Sequence, residues 1–189
     1  MTLRFAALED VPALLAIYER YISTTITFEY VLPSREEFAR RMRDVSQVYP
    51  YLVLEEEGGS ILGYAYAHPI AQRAAYGWGA ELSIYLHPDA AGKGLGRRLY
   101  QALIDLLRLQ GVRTVYGLVA SPNSASENLH TSLGFHLMGV QQKAGYKNGR
   151  WIDLLWFDKA IAPYAPEPAP VVPVQALPSA QVQAVFIDF

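Results

Sequence analysis

The sequence predicts a mixed α/β fold, and three features indicate it. Short apolar segments with the length and composition of β-strands are interleaved with segments whose apolar residues recur at helical spacing. One connection runs from a strand through a helix to another strand, which is the usual form of a crossover. With 189 residues, 51% of them hydrophobic, the chain is long enough for one domain with a full core.

The N-terminal half is predicted to contain a strand, two helices and three further strands. Ser34 and Glu37 have the spacing of a capping box, which begins the second helix. The pair Gly58-Gly59 between two apolar segments indicates a hairpin. The predicted strands cover residues 3–5, 51–55, 61–68 and 81–86, and the predicted helices cover 8–22 and 34–44.

The C-terminal half is predicted to contain a helix, a strand, a second helix and two more strands. Leu95, Leu99 and Leu103 belong to an apolar stripe that ends at Gly111, and Gly134 ends the second helix. The first predicted helix begins at 95 and ends at Gly111, and the second covers 124–133. The predicted strands cover 112–120, 136–143 and 151–158.

The last part of the chain differs in composition from the rest. Six of the 12 prolines lie between Pro163 and Pro178, and they oppose a helix through most of this region. We therefore predict a domain over 1–161 and a proline-rich extension over 162–189. The apolar end, 182–189, is expected to fold back, to add a strand to a sheet edge or to contact a partner subunit.

Charge and cysteine content exclude several functions. Sixteen Lys and Arg against 18 Asp and Glu give a net charge of −2, which argues against a dedicated nucleic-acid or membrane-surface binder. The absence of Cys excludes disulfides and thiolate nucleophiles. Because His68, His87 and His136 also lack metal-ligand spacing, we expect no metal. No signal peptide or membrane span is predicted, so a cytoplasmic location is expected.

A glycine-rich segment, Gly92 to Arg97, lies between a predicted strand and a predicted helix. Its G-x-G-x-G spacing suits a pyrophosphate, because glycines allow backbone N–H groups to approach an anion at a helix N-terminus. Lys93, Arg97 and Arg98 add positive charge. The dinucleotide and kinase fingerprints fail, since Arg97 or Leu99 stands where their third glycine belongs. A plain strand-to-helix turn is the alternative.

Two longer motifs carry a family resemblance. Residues 84–97 (IYLHPDAAGKGLGR) and 123–135 (NSASENLHTSLGF) resemble the acetyl-coenzyme A signatures of the GNAT acetyltransferase superfamily. A narrower resemblance is to the phosphinothricin and methionine sulfone N-acetyltransferase branch of this superfamily. It rests on Thr24, Thr25 and Phe28 and on the segments 81–85 and 144–153. The resemblance covers about residues 2–160. It implies a GNAT-type fold with a central mixed sheet of six to seven strands flanked by about four helices, and a homodimer.

The resemblance also implies site residues. Glu81 matches the proposed general base, and His130 stands where many members carry a Tyr that protonates the leaving thiolate. The residues implied to bind acetyl-CoA are Ile84, Tyr85, Leu86, Gly92, Lys93, Gly94, Leu95, Gly96, Arg97, Asn123 and Ser132. Those implied to bind substrate are Phe28, Arg73, Glu81, Leu82 and Ser83. Each of three assignments has a structural alternative. Glu81 could be a structural carboxylate, His130 a packing histidine and Arg73 an exposed loop arginine.

The sequence departs from the family at two places. Ala91 replaces the Arg or Gln that usually begins the first motif, which is expected to weaken cofactor binding without abolishing it. The segment 77–82 lacks a cation and a hydroxyl on the expected acceptor side.

We therefore predict an acetyl-CoA-dependent N-acetyltransferase that acts on the primary amine of a small molecule, an amino acid or an analogue. Direct attack in a ternary complex is expected, because no Cys can carry the acetyl group. One alternative is a catalytically idle acetyl-CoA-binding sensor or interaction module. Another is a protein N-acetyltransferase, which a tail folded over the acceptor groove would exclude.

Overall fold

The computed structural model describes residues 1–90, 92–187 and 189, so the departure expected at Ala91 lies outside the described residues. The described residues form seven strands and five α-helices, together with short 3-10 turns. The helices are α1 (Val11–Ile22), α2 (Arg35–Ser46), α3 (Leu95–Gln110), α4 (Ser124–Ser132) and α5 (Ser179–Ile187). The strands are β1 (Thr2–Phe5), β2 (Tyr51–Glu55), β3 (Ile61–Pro69), β4 (Gly79–Leu86), β5 (Thr114–Ser121), β6 (His136–Lys147) and β7 (Arg150–Ala160).

The helix ends follow the predicted local signals. The Ser34 hydroxyl accepts a hydrogen bond from the Glu37 N–H at 3.2 Å and begins α2. Gly111 has a φ of 96° and ends α3, because the left-handed conformation favours glycine. Strands β6 and β7 each run beyond their predicted C-terminal ends.

The strands form one mixed sheet in the order β1-β2-β3-β4-β5-β7-β6. Neighbouring strands are antiparallel except β4 and β5, which are parallel. The predicted mixed α/β class is confirmed, and the crossover through α3 joins the parallel pair.

Helices cover both faces of the sheet. The first face packs α1 and α2 against alternate strand residues, including Tyr51, Val53 and Tyr64. The opposite face packs α3, α4 and α5 against the residues between them, including Leu52, Leu54 and Ala65. This alternation assigns each side chain of a strand to one face. We call these the α1–α2 face and the α3–α5 face.

The extension crosses the end of α3, and its apolar end forms α5. The side-chain amide of Gln110 donates to the carbonyls of Val48 and Val172, at 2.6 and 2.7 Å. The prediction of an added edge strand is therefore wrong. No proline follows Pro178, so a helix can form there. Val182, Val185 and Phe186 of this helix have helical spacing and pack on the α3–α5 face, as does Phe189 beyond it.

Candidate active site

The centre of the sheet opens where β4 and β5 separate. Their pairing covers only Gly79 to Glu81 on β4 and Thr114 to Tyr116 on β5. Beyond these residues a cavity of about 210 Å³ lies beside the free edge of β4. It is lined by Tyr21, Ile26, Leu82, Ser83, Ile84, Tyr85, Leu86, Tyr100, Leu118, Val119, Ala120, Asn123, Ala125, Ser126, Leu129 and His130.

The free edge of β4 offers backbone groups to this cavity. The Tyr21 hydroxyl donates to the Leu86 carbonyl at 2.8 Å and accepts from its N–H at 3.2 Å. The Tyr100 hydroxyl donates to the Leu82 carbonyl at 3.1 Å. Since backbone groups alternate between the two edges of an antiparallel strand, those of Ile84 lie on the same edge. The Ile84 groups can pair with an extended ligand as an added strand would, whereas those of Leu86 are occupied by Tyr21.

The glycine-rich segment precedes α3 at the same end of β4. Gly92 and Gly94 both have φ of 72°, and a Cβ built on either would meet no atom within 4 Å. No side chain caps α3, so its first N–H groups can bind an anion. Gly96 is needed for packing, because a Cβ there would lie 2.8 Å from the Leu86 side chain.

The basic side chains of this region point in different directions. Arg97 donates to the Ser132 carbonyl at 2.6 Å, joining the first turn of α3 to the end of α4. The guanidinium of Arg98 instead lies 4.4 Å from the ring centroid of Phe189. Arg98 therefore contacts the extension. That contact joins residues far apart in sequence, which no local motif indicates.

Glu81 is the last β4 residue paired with β5, and its side chain projects from the α1–α2 face. Its neighbours Ala80 and Leu82 belong to the opposite core. Burial raises the pKa of Glu81, and the positive charge of His68, when present, acts in the opposite direction. A half-buried carboxylate of raised pKa can accept a proton near neutral pH.

His130 is buried on the α3–α5 face, among Tyr100, Phe135 and Phe157. Its Nδ1 lies 2.8 Å from the Ser126 carbonyl, and its Nε2 lies 3.2 Å from the Tyr100 hydroxyl. A carbonyl only accepts, so Nδ1 carries a hydrogen, and Nε2 of the neutral ring can accept the single hydroxyl hydrogen of Tyr100 in place of the Leu82 carbonyl. Burial lowers the pKa of His130. This geometry favours a neutral packing histidine.

The remaining expected substrate residues occupy different places. Leu82 and Ser83 line the cavity. Phe28 packs against Gly145, where a Cβ would lie 2.8 Å from its ring. Lys147 holds the same loop by donating to the Thr27 and Glu29 carbonyls, both at 2.7 Å. Arg73 is exposed in the loop between β3 and β4, outside the cavity lining.

Comparison with known proteins gives the family. The family model described as an acetyltransferase (GNAT) domain matches residues 3–156. The chain belongs to the GNAT acetyltransferase family. It is 39% identical to a phosphinothricin N-acetyltransferase of Alcaligenes faecalis over 85% of this chain and 82% of that protein. It is 35% identical to an L-methionine sulfoximine/L-methionine sulfone acetyltransferase of Pseudomonas aeruginosa, over 86% of this chain and 95% of that protein.

Solved structures agree with this assignment. A GNAT phosphinothricin acetyltransferase from Sinorhizobium meliloti in complex with AcCoA superposes with a TM-score of 0.86 and 34% identity. The match covers 93% of this chain and 97% of that chain. The predicted family is therefore confirmed, and this GNAT enzyme is an acetyl-CoA-dependent N-acetyltransferase.

The site residues of this GNAT enzyme fit acetyl-CoA. The open β4 edge suits the amides of its pantetheine arm, and the uncapped start of α3 suits its pyrophosphate. Asn123 caps α4 through its side-chain oxygen, which accepts from the Ser126 N–H at 3.2 Å. Its amide nitrogen is the group that remains for a ligand in the cavity. Ser132 lies at the end of α4, where its hydroxyl donates to the Leu129 carbonyl at 2.9 Å.

Sequence reasoning missed two tyrosines that line the cavity. Tyr21 lies on α1 and Tyr100 on α3, within segments predicted as helices, but neither was among the residues considered for the site. Their hydroxyl contacts with β4 depend on the tertiary arrangement, although polar tips on apolar helix faces were a signal for them.

Two further findings concern the described part of the chain. None of its helices combines the length and apolar character that crossing a membrane requires. It also contains no group of three or more His, Asp or Glu side chains placed to hold a metal ion.

Proposed function

We propose that this enzyme acetylates the primary amine of a small amino acid or amino-acid analogue by direct attack in a ternary complex. The observation that carries the proposal is the position of Glu81, at the base of the opening between β4 and β5. The names of the Alcaligenes and Pseudomonas relatives support phosphinothricin and methionine sulfone or sulfoximine as the chemical class to test first.

In this mechanism, residues of the chain bind acetyl-CoA and accept the proton of the substrate ammonium. Acetyl-CoA supplies the activated acyl group. Backbone groups of Ile84, and those of Leu86 once Tyr21 releases them, would bind its pantetheine arm, and the N-terminus of α3, with Lys93 and Arg97 nearby, would bind its pyrophosphate. Glu81 accepts a proton from the substrate ammonium, directly or through water, because only the free amine is a nucleophile.

His130 remains the expected general acid by resemblance, but its geometry supports a positioning role. Protonation at Nε2 would have to overcome the burial that lowers its pKa. We propose that the ring holds Tyr100 against the β4 edge through the hydrogen bond between Nε2 and the hydroxyl. Coenzyme A thiolate is a tolerable leaving group, so loss of an acid at this position would cost little.

We also propose a homodimer formed through β6 and β7. Strand β6 is a sheet edge that exposes Leu137, Met138 and Val140 by 54%, 58% and 48%, and Trp151 on β7 is 60% exposed. Clustered apolar groups on a sheet edge are typical of an interface. Light scattering tests this, with Leu137→Asp expected to shift the mass to the monomer. The expected cytoplasmic location stays a proposal that cell fractionation tests.

Glu81→Gln is the central test. At neutral pH we expect kcat to fall by about 10²–10⁴ while calorimetry shows unchanged acetyl-CoA binding, since the amide keeps the shape but cannot accept the proton. Glu56→Gln, in the exposed hairpin turn, is the matched control. Unchanged turnover of Glu81→Gln over an amine panel would remove Glu81 from the mechanism.

A panel of amine substrates also separates the proposed function from the two alternative functions. Thiol release with amino acids, methionine sulfone or phosphinothricin supports the proposal. Acetyl-CoA binding without thiol release on any amine supports an idle module, and release only with peptide N-termini supports a protein N-acetyltransferase. The contacts of the extension do not decide this. Its C-terminal part packs on the α3–α5 face, whereas its start lies beside the paired residues of β4 and β5, where Trp78 donates to the Ala169 carbonyl and Tyr164 contacts Thr114.

A further inference from the structure

His68 on β3 lies directly opposite Glu81 on β4 in the antiparallel register. Its Nε2 is 3.6 Å from Glu81 Oε1. The two side chains remain partly open to solvent, with 30% and 21% of their surfaces exposed. Facing cross-strand residues are the closest pairs a sheet can form, so this contact is built into the register.

The second ring nitrogen determines what Nε2 can do. His68 Nδ1 lies 3.2 Å from the Pro69 carbonyl. Because a carbonyl only accepts, Nδ1 carries a hydrogen, and Nε2 of the neutral ring presents a lone pair to Glu81. At 3.6 Å the two atoms lie just beyond hydrogen-bond distance, so a small side-chain rotation or one bridging water is needed to carry a proton between them. Two lone pairs facing each other repel, whereas one proton on either atom makes the contact attractive. The geometry therefore suits a pair that holds a single proton.

Other titratable groups face the pair from the neighbouring elements. They are Tyr66 on β3, Tyr116 on β5 and, farther away, Glu29 in the loop before α2. Tyr100 of α3 lies on the opposite face of the sheet and is close enough to Glu81 to feel its charge. Burial raises the pKa of Tyr66 to about 12 and raises the pKa values of Tyr100 and Tyr116. Glu29 forms an ion pair with Arg41. The three phenols therefore stay neutral near pH 7, and the Glu29 carboxylate is already paired with Arg41.

We propose that His68 is a positioning residue that passes the proton from Glu81 to solvent. This inference rests on the proposed function, in which Glu81 is the base. An N–H bond of the substrate ammonium breaks as an O–H bond forms at Glu81. That O–H bond then breaks as an N–H bond forms at His68 Nε2, which leaves a carboxylate and an imidazolium. The imidazolium releases its proton to water, and Glu81 is ready for another turnover.

His68→Gln tests the relay with the size of the side chain nearly kept. We expect kcat to fall about tenfold, because proton release from the half-buried Glu81 loses its acceptor. The acid limb of the profile of kcat/KM against pH should move to higher pH, since loss of the imidazolium raises the pKa of Glu81. The Kd for acetyl-CoA should not change. His136→Gln, at the exposed start of β6, is the matched control.

The double variant separates this inference from the proposed function. If His68 acts through Glu81, His68→Gln adds no further loss of kcat to Glu81→Gln. Restoration of kcat in His68→Ala by added imidazole would support the relay, because a structural role would not respond to imidazole. Unchanged kcat and pH profile in His68→Gln, with Glu81→Gln inactive, would overturn the relay alone. An active Glu81→Gln would overturn the base assignment itself.

Discussion

The two edges of β4 differ, although they belong to the same eight residues. Towards β3 the strand is paired from Ala80 to Leu86. Towards β5 the pairing ends at Glu81. The closed edge uses its hydrogen bonds to hold the sheet together, whereas the open edge presents them to a ligand. A binding site here arises from unfinished pairing more than from special residue types.

The elements beyond the open edge explain why it stays open. His130 from α4 packs over Gly117 of β5, and Tyr100 from α3 contacts β4, so side chains of the α3–α5 face lie beside the gap. Variants beside the two edges test this difference, and the largest effect is expected at Gly117.

Gly117→Ala should have the largest effect on stability. A Cβ at this position would lie 2.0 Å from His130 Nε2, and the ring is enclosed by Phe135 and Phe157. We expect a loss of about 3 kcal/mol, measured by chemical denaturation, from overpacking. Gly139→Ala is the control, because its Cβ would meet nothing within 4 Å. Equal stability of the two variants would contradict the close packing.

The pH dependence of kcat/KM should report the ionisation of Glu81, which lies where the open edge of β4 begins. Burial raises the pKa of Glu81, and only the carboxylate accepts a proton. We therefore expect kcat/KM to fall by about tenfold per pH unit below that pKa. His130 is another buried titratable group near the opening, and burial lowers its pKa. An unchanged acid limb in Glu81→Gln would assign it to another group.

Tyr21→Phe should change cofactor binding by a smaller factor. The hydroxyl of Tyr21 occupies the N–H and carbonyl of Leu86, which the pantetheine arm would use. Its removal frees these groups, so we expect the Kd for acetyl-CoA to fall about threefold to fivefold, equivalent to about 1 kcal/mol. Tyr30→Phe, outside the cavity, is the control. Weaker binding would show instead that the hydroxyl contacts the cofactor.

Tyr164→Phe should have the smallest effect. The Tyr164 hydroxyl lies 2.8 Å from the Thr114 hydroxyl, beside the paired part of the β4–β5 edge. Because the bond is exposed, we expect a loss of about 0.5 kcal/mol in thermal or chemical unfolding, with kcat unchanged. A change in kcat would show that the extension influences the opening between the strands.

Much of the fold could be predicted because its signals are local. Ser34 and Glu37 begin a helix, and Gly111 ends another, through contacts within a few residues. The apolar end of the extension was misread because short apolar segments suit both strand and helix. Only its packing against α3 and β1 favours the helix, as the contact between Phe5 and Phe186 shows.

The sequence by itself determined the family, the order of the elements and the glycine-rich turn, since each depends on the spacing of neighbouring residues. The tertiary structure alone decided where pairing stops along β4, which ring nitrogen of His130 carries hydrogen, and that His68 faces Glu81. It also placed the Arg98 guanidinium against the ring of Phe189. These outcomes depend on strand register and on contacts between distant segments, which are settled only when the whole core packs.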